Sequence, residues 1–200
     1  MMPLEPVAIV ILAAGESQRM GRPKQVLPFR GRTLLGCAVE TAMASKCRPI
    51  VVVTGAHGDL VRPELQSLPV LVAHNPGWAE GLSSSLRVAI DTLTQLAECR
   101  LAGAVITLAD QPLVTASDID EIVDVHRRRR KDIVASEYAD TQGVPMFISR
   151  RLFADIRRLT GKEGAKRLIS DHLECVEAVP LASAAFDIDS PADYERLWRA

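Results

Sequence analysis

The fold is decided by residues 7–25, which read VAIVILAAGESQRMGRPKQ. The apolar run over residues 7–12 is mostly β-branched and lacks the polar alternation of a half-exposed strand. It therefore predicts a strand covered on both faces, as in parallel sheets flanked by helices. Small residues follow at 13–15, and successive backbone amides in such a turn form an anion-binding concavity. We expect a buried strand that ends at a phosphate-sized anion.

The two familiar glycine loops do not match this turn. A P-loop requires GxxxxGK[ST], and a dinucleotide fingerprint requires GxGxxG. Here Gly15 and Gly21 are separated by five residues, and Lys24 is followed by Gln25. The alternative to an anion site is an ordinary surface turn with incidental basic residues, because glycine marks most turns of this kind.

Composition places the chain among globular proteins of one domain, spanning residues 1–200. It has 200 residues, 48% of them hydrophobic, and a formal net charge of −1. With that charge the protein has no overall electrostatic attraction to nucleic acid or to an anionic membrane, so we expect neither partner. The first apolar run is too short to span a bilayer, and no basic leader precedes it. The four cysteines form no CxxC pair, which favours reduced thiols and a cytoplasmic protein: Cys37, Cys47, Cys99 and Cys175.

The remaining chain alternates apolar strands with helix-length segments. Three early strands joined by helical connections are typical of βαβ units and favour an α/β fold. Residues 25–33 form a loop, since Pro28 and Gly31 prevent a continuous helix. Further strands are expected at residues 50–55, 69–75, 104–108, 132–138, 143–149 and 175–181, with a strand end within 184–189. Helices are expected at about residues 34–45, 59–67, 83–99, 118–130, 148–159, 162–173 and 191–198.

Three serines open the helix that follows the loop NPGWAEG. Serine at a helix start is most often a cap, which is the structural interpretation of this run. One cap requires only one serine, however. The functional interpretation is that the remaining hydroxyls read the hydrogen-bonding edge of a ligand. The residues concerned are Ser83, Ser84 and Ser85.

Asp110 stands at the carboxyl end of the strand in AGAVITLADQP. In open α/β sheets the ligand crevice lies outside these strand ends. A carboxylate there suits Mg²⁺, which takes one or two carboxylates together with phosphate oxygens. The alternative is that Asp110 only caps the following turn, since aspartate is a common turn residue. Further carboxylates follow in DIDSP, at Asp187 and Asp189.

Basic and nucleophilic groups elsewhere point to no other chemistry. The run HRRRRK at residues 126–131 ends a predicted helix, where it complements the helix dipole and faces solvent. The four histidines have no metal-like spacing, no GxSxG elbow is present, and no cysteine lies in an electropositive loop.

A nucleoside triphosphate with Mg²⁺ would satisfy the loop, Arg19, Lys24 and Asp110 together. Catalysis would then consist of positioning and charge neutralisation.

The segment LAAGESQRMGRPKQ resembles the signature LAAGxSxRMGxxK of MobA-like nucleotidyltransferases. Within that superfamily the chain is most similar to the MocA-like molybdenum cofactor cytidylyltransferases. Five further blocks resemble family blocks and occur in the family's order: HNPGWAEGLSSSLRVAI, TLADQP, GVPMFIS, GKEGAKRLI and FDIDSPADYERL.

The resemblance implies a Rossmann-like nucleotidyltransferase fold with a mostly parallel sheet flanked by helices. The implied reaction transfers CMP from CTP to the terminal phosphate of molybdenum cofactor (molybdopterin), and a molybdenum hydroxylase would receive the product. Implied contacts to base and phosphates come from Leu12, Ala13, Ala14 and Gly15, and to the triphosphate from Arg19 and Lys24. Ser83, Ser84 and Ser85 would face the base. The implied Mg²⁺ ligands are Asp110 and Asp189, with Asp187 a near rival.

Two departures fall in the half of the chain that would meet the acceptor. The family's GHP element appears here as Gly143, Val144 and Pro145, and its GDxGAR element as GKEGAK, with Lys162 and Lys166.

The LAAG form resembles pyrimidine-using members, whereas guanylyl-transferring relatives more often show LAGG. Three alternatives stay open: GTP as the donor, a sugar or polyol phosphate as the acceptor, and a nucleotide- or cofactor-binding chaperone without turnover.

Overall fold

The computed structural model describes residues 4–96, 100–161 and 164–198. Its strands are β1 (Val7–Ala13), β2 (Pro28–Phe29), β3 (Arg32–Thr33), β4 (Ile50–Thr54), β5 (Leu71–His74), β6 (Gly103–Leu108), β7 (Ile133–Tyr138), β8 (Thr141–Ser149) and β9 (Val176–Pro180). Its α-helices are α1 (Leu34–Ala44), α2 (Gly58–Leu65), α3 (Leu82–Gln95), α4 (Ala116–Arg129), α5 (Phe153–Arg158), α6 (Ala165–Asp171) and α7 (Pro191–Leu197).

Seven strands form one sheet in the order β5-β4-β1-β6-β8-β7-β9. The pairs β1–β4, β1–β6, β4–β5 and β7–β9 are parallel, whereas β8 is antiparallel to both of its neighbours. β1 lies inside the sheet, and all seven of its residues are buried. The predicted α/β class, with a mostly parallel sheet flanked by helices, is confirmed.

The two faces of the sheet carry separate cores because successive strand residues point to opposite sides. On one face Val10 packs in a cluster with Leu86 and Ile90 of α3. On the other face Ile9 belongs to a cluster with Val39 of α1 and further residues of α4. Helices therefore cover β1 on both sides, as its unbroken apolar sequence predicts.

A third, smaller core ties the segment after β1 to the carboxyl-terminal tail. It contains Met20, Leu34, Ile188 and Leu197, with further members from the β2–β3 hairpin. The Ile188 amide also donates to the carbonyl of Asp110 at 3.0 Å. This packing brings residues near 189 beside residues near 20, although about 170 positions separate them in the chain.

The tail differs from the prediction of a strand end carrying two aspartates. Residues 182–185 form a 3₁₀ helix, and residues 186–189 are irregular. The reason is local: the Asp193 carboxylate accepts hydrogen bonds from the amides of Asp189 and Ser190 at 3.3 and 2.8 Å, in a capping box that opens α7. The amides of Asp189 and Ser190 therefore bond to the first turn of α7 and not to a neighbouring strand.

Other boundaries also differ. Residues 25–33, expected as a loop, contain the end of a 3₁₀ turn at Lys24–Val26 and the β2–β3 hairpin. The helix expected over 148–159 begins as the end of β8 and a 3₁₀ turn, so α5 is only six residues long. α3 ends at Gln95, and its N-cap is Gly81 with no side-chain cap, so no serine caps it.

Some predictions fall outside the described ranges, among them those on Cys99 and Lys162. Cys37, Cys47 and Cys175 are free thiols. Within the described residues, no helix is both long enough and apolar enough to cross a membrane.

Candidate active site

A cavity of about 600 Å³ opens at the carboxyl ends of β1 and β6. Most of the site residues expected from the sequence line it: Leu12, Ala13, Ala14, Gly15, Arg19, Lys24, Ser85, Asp110 and Asp189. Ser83, Ser84 and Asp187 are not among its lining residues. Trp78 and Leu82 add an apolar wall that the sequence did not single out.

The loop after β1 is held from behind by a buried glutamine. Gln25 is 2% exposed, and its side-chain amide donates to the carbonyls of Ala13 and Gly15 at 3.1 and 2.8 Å. The Ser17 hydroxyl contacts Gln25 Oε1 at 3.4 Å and accepts from the Lys24 amide at 3.1 Å. In the sequence, Gln25 stands out only as the residue that breaks the P-loop pattern. Its packing shows that it shapes the loop.

Lys24 forms the charged centre of the site. Its ammonium donates to Asp110 Oδ2 and, at 3.1 Å, to Asp189 Oδ1, while Arg19 donates to Asp189 Oδ2 at 2.7 Å. The side chains of Lys24 and Asp110 are only 17% and 14% exposed. Burial acts to lower the pKa of Lys24, but the charges and hydrogen bonds of Asp110 and Asp189 outweigh it and raise that pKa. The lysine is therefore held in its charged form.

The carboxylates around Lys24 fit a hard divalent cation. Asp110 Oδ1 is buried and has no hydrogen-bond partner, so a lone pair is available inside the site. The lysine ammonium already shows that a cation can contact Asp110 and Asp189 together. Among the described residues, no group of three or more His, Cys, Asp or Glu side chains is arranged to hold a metal. Two carboxylates leave the other coordination positions to phosphate and water, as Mg²⁺ requires.

Asp187 lies in a different environment from Asp189. Burial, followed by the negative charge of Asp110, raises the pKa of Asp187 to about 6. Asp189 instead contacts the cations Lys24 and Arg19 at the cavity wall. The geometry favours Asp189 over Asp187 as the partner of Asp110.

The three serines have different surroundings although they are adjacent in sequence. Ser83 donates to the Thr160 carbonyl at 3.2 Å, and Ser84 donates to two carbonyls of the preceding loop at 3.0 and 2.8 Å. The Asn75 side-chain amide donates to Ser84 at 2.8 Å and to Ser85 at 3.0 Å. Ser83 thus ties α3 to the segment at Thr160, Ser84 shapes the loop before α3, and Ser85 alone of the three lines the cavity.

An amide-rich turn, a buried lysine and paired carboxylates meet at the carboxyl edge of a Rossmann-like sheet. This combination defines a nucleotide-binding α/β protein of the nucleotidyltransferase class. The family described as "MobA-like NTP transferase domain" matches residues 9–176, and the chain belongs to that family. The resemblance expected from the sequence is confirmed.

Several relatives match over nearly their full length. The molybdenum cofactor cytidylyltransferase of Escherichia coli K12 is 30% identical over 92% of each chain. Nicotine blue oxidoreductase of Paenarthrobacter nicotinovorans is 29% identical over 94% of each chain, so similar relatives carry different names. The crystal structure of Rv0371c from Mycobacterium tuberculosis H37Rv superposes with a TM-score of 0.84 at 31% identity, covering 98% of this chain and 99% of the other. The structure of Rv0371c in complex with manganese superposes with a TM-score of 0.81 at 30% identity, covering the same shares of the two chains.

Proposed function

We propose that this protein is a Mg²⁺-dependent cytidylyltransferase that moves CMP from CTP to the terminal phosphate of molybdenum cofactor and releases pyrophosphate. The observation that carries the proposal is the contact of Lys24 with Asp110 and Asp189 beneath the loop after β1. A buried lysine between carboxylates, beside an amide-rich turn, is suited to a triphosphate accompanied by a divalent cation.

In this proposal each group of the site has a limited task. The turn at residues 13–15 and the cations Lys24 and Arg19 hold the triphosphate. Asp110 and Asp189 bind the divalent cation, which supplies charge neutralisation when bound. Ser85 lies where it could meet the base. The acceptor phosphate is already anionic near neutral pH, so the protein need not provide a general base. Positioning the acceptor and the α-phosphate in line supplies the rest of catalysis.

The choice of CTP and molybdenum cofactor has two supports. Ala13 and Ala14 give the loop the LAAG form of pyrimidine-using family members. The E. coli relative is named as a molybdenum cofactor cytidylyltransferase. The proposal includes a single domain over residues 1–200 that acts in the cytoplasm on small molecules, with neither nucleic acid nor membrane, and passes its product to a molybdenum hydroxylase.

The test is a substrate panel with purified protein. CTP, GTP and ATP are each incubated with Mg²⁺ and molybdenum cofactor, and dinucleotide product and pyrophosphate are measured. We expect product with CTP and none after chelation of the metal. If product formed with GTP alone, the nucleotide donor would be GTP and not CTP. Pyrophosphate release with a sugar or polyol phosphate, and none with molybdenum cofactor, would reassign the acceptor. Tight CTP binding without product under any acceptor would instead favour a chaperone.

The nicotine blue oxidoreductase relative supplies a second candidate, because its identity and coverage are similar to those of the cytidylyltransferase. A further assay incubates the purified protein with nicotine blue and an added electron donor or acceptor, and measures whether the dye changes its oxidation state. Turnover there, with no pyrophosphate from any nucleotide, would overturn the transferase proposal.

A further inference from the structure

His57 belongs to none of the residue sets described so far, yet its ring reaches the loop after β1. Its Nε2 lies 3.0 Å from the carbonyl of Glu16, 41 residues earlier in the chain. A carbonyl can only accept, so Nε2 carries the proton in this contact. His57 occupies the N-cap position of α2 but makes no side-chain capping bond. The ring therefore serves the loop and not the helix.

His57 completes a regular pattern along the loop. Five successive carbonyls, from residue 12 to residue 16, each accept a hydrogen bond from the surrounding scaffold. The donors, in order, are the Ala109 amide at 3.2 Å, Gln25 Nε2 at 3.1 Å, the Ala56 amide at 3.1 Å, Gln25 Nε2 again at 2.8 Å, and His57 Nε2 at 3.0 Å. The carbonyl side of the loop is thus fully anchored.

The amide side of the loop is open. Within the described ranges, the amides of Gly15, Glu16 and Ser17 donate to no other group. In a trans peptide, the N–H of one residue points opposite to the C=O of the residue before it. Anchoring the carbonyls of Ala14, Gly15 and Glu16 therefore turns these three amides away from the scaffold. The segment around Ala56 is close enough that a Cβ on Gly55 would lie 2.5 Å from the Ala14 carbonyl oxygen.

We propose that His57 is a positioning residue of the nucleotide site, which together with Gln25 keeps three loop amides turned toward the triphosphate. This inference rests on the proposed binding of a triphosphate at the loop. Donors fixed in advance bind an anion better than donors that must reorient, because their ordering cost has already been met in folding. Gln25 is buried and anchors two carbonyls, whereas His57 anchors one from a more exposed position.

The test measures binding of inorganic tripolyphosphate with Mg²⁺ by calorimetry. His57→Leu removes the donor and is expected to weaken binding by about three- to tenfold, the size of one net hydrogen bond. His57→Gln can place an amide nitrogen at a similar reach and is expected to bind within about twofold of the original protein. The matched control is His172→Leu; the His172 ring lies 3.5 Å from Asp155 of α5, and this variant is expected to bind unchanged. Thermal unfolding of each variant is followed in parallel.

Two results would overturn the inference: equal affinity of His57→Leu and the original protein, or a His57→Gln variant as weak as His57→Leu. Tripolyphosphate contains neither base nor acceptor, so a wrong donor base or acceptor in the proposed function leaves this comparison intact. If the original protein binds no tripolyphosphate and no nucleotide, both proposals are wrong.

Discussion

Two cavities at opposite ends of the sheet both contain several charged side chains, but they are built differently. The first, at the carboxyl ends of β1 and β6, contains Lys24, Asp110 and Asp189. The second, of about 460 Å³, lies at the amino ends of the same strands and is lined by four arginines: Arg100, Arg127, Arg130 and Arg151. The second cavity therefore contains more basic side chains than the first.

Exposure and pairing separate the two cavities. In the first, Lys24 and Asp110 are buried together, and Asp110 Oδ1 is left without a partner. In the second, Arg100 and Arg151 are 85% and 83% exposed and pair with Glu5 and Asp132 at 2.8 and 3.9 Å. Exposed pairs contribute little, whereas charges in a drier environment interact strongly. Buried charges that come together from distant segments of the chain are therefore a better indicator of a ligand-binding site than the number of charges in a cavity.

The run HRRRRK contributes His126, Arg127 and Arg130 to the second cavity, while Arg128 and Arg129 are exposed at the end of α4. Arg128 pairs with Glu121 at 2.7 Å, and both side chains are more than half exposed. His126 stacks on Phe147 with ring centroids 3.9 Å apart, and burial lowers its pKa. The Arg128–Glu121 pair lies within α4 and faces solvent, as the sequence predicts for this run, whereas His126 departs from that prediction by packing on the sheet.

The largest expected effect comes from removing the buried carboxylate of the first cavity. Asp110→Asn should lower kcat/KM for pyrophosphate release by about 10³-fold, because it removes a charge that stabilises the transition state through the bound cation. The fold should remain intact, since Lys24 keeps its contact with Asp189. Pyrophosphate assays and thermal unfolding measure the two quantities. Near-normal turnover would exclude Asp110 from the reaction.

The next prediction compares two aspartates that are two residues apart. Asp189→Asn should lower activity by about 10²-fold, since Asp189 contacts Lys24 and lines the cavity. Asp187→Asn should cost about tenfold or less, the effect of a neighbouring group that does not bind the metal. Titration of Mn²⁺ in the presence of CTP gives a readout independent of turnover. The reverse order of effects would identify Asp187 as the metal ligand.

The smallest effects are expected at the arginine cavity. Arg100→Ala and Arg151→Ala each remove one exposed ion pair, which is worth about 0–1 kcal/mol. Nucleotide affinity and kcat should therefore stay within about twofold of the original values, with little change in Tm. Kinetics with CTP and a melting curve test this. A clear loss of nucleotide affinity in either variant would show that the second cavity communicates with the first.

The sequence predicted the part of the site that follows directly from strand order. An unbroken apolar run implies a central strand, and central parallel strands place Gly15 and Asp110 at one edge. Lys24 and the serines are candidates from the residues alone, and the family resemblance assigns Lys24 to the triphosphate and the serines to the base. Since a hydroxyl can bond to a nearby carbonyl or to a ligand, the sequence could not tell which of the three serines faces the cavity.

Long-range packing accounts for what the sequence could not supply. The tail approaches Lys24 because Ile188 enters a small core with Met20 and Leu34, a contact with no signature in local periodicity. The spacing of His57 to the other histidines is not metal-like, so the sequence assigns it no role. The role proposed for it rests on one contact with a carbonyl 41 residues away. Contacts between a side chain and a distant backbone atom leave no pattern in one sequence.

The contacts of Lys24 bear on the order in which a nucleotide and a divalent cation would bind. Two carboxylates face two cationic side chains, Lys24 and Arg19, so the charges of this cluster already balance before any ligand enters. A free divalent ion that bridged the two aspartates would find Asp110 Oδ1 without a partner, but it would have to approach the ammonium that contacts Asp110 Oδ2 and Asp189 Oδ1. In the proposed function, a triphosphate would offer the ammonium a new anionic partner and so release the carboxylates. Lys24 would then act as an internal counter-ion, and uptake of the divalent cation would depend on the nucleotide.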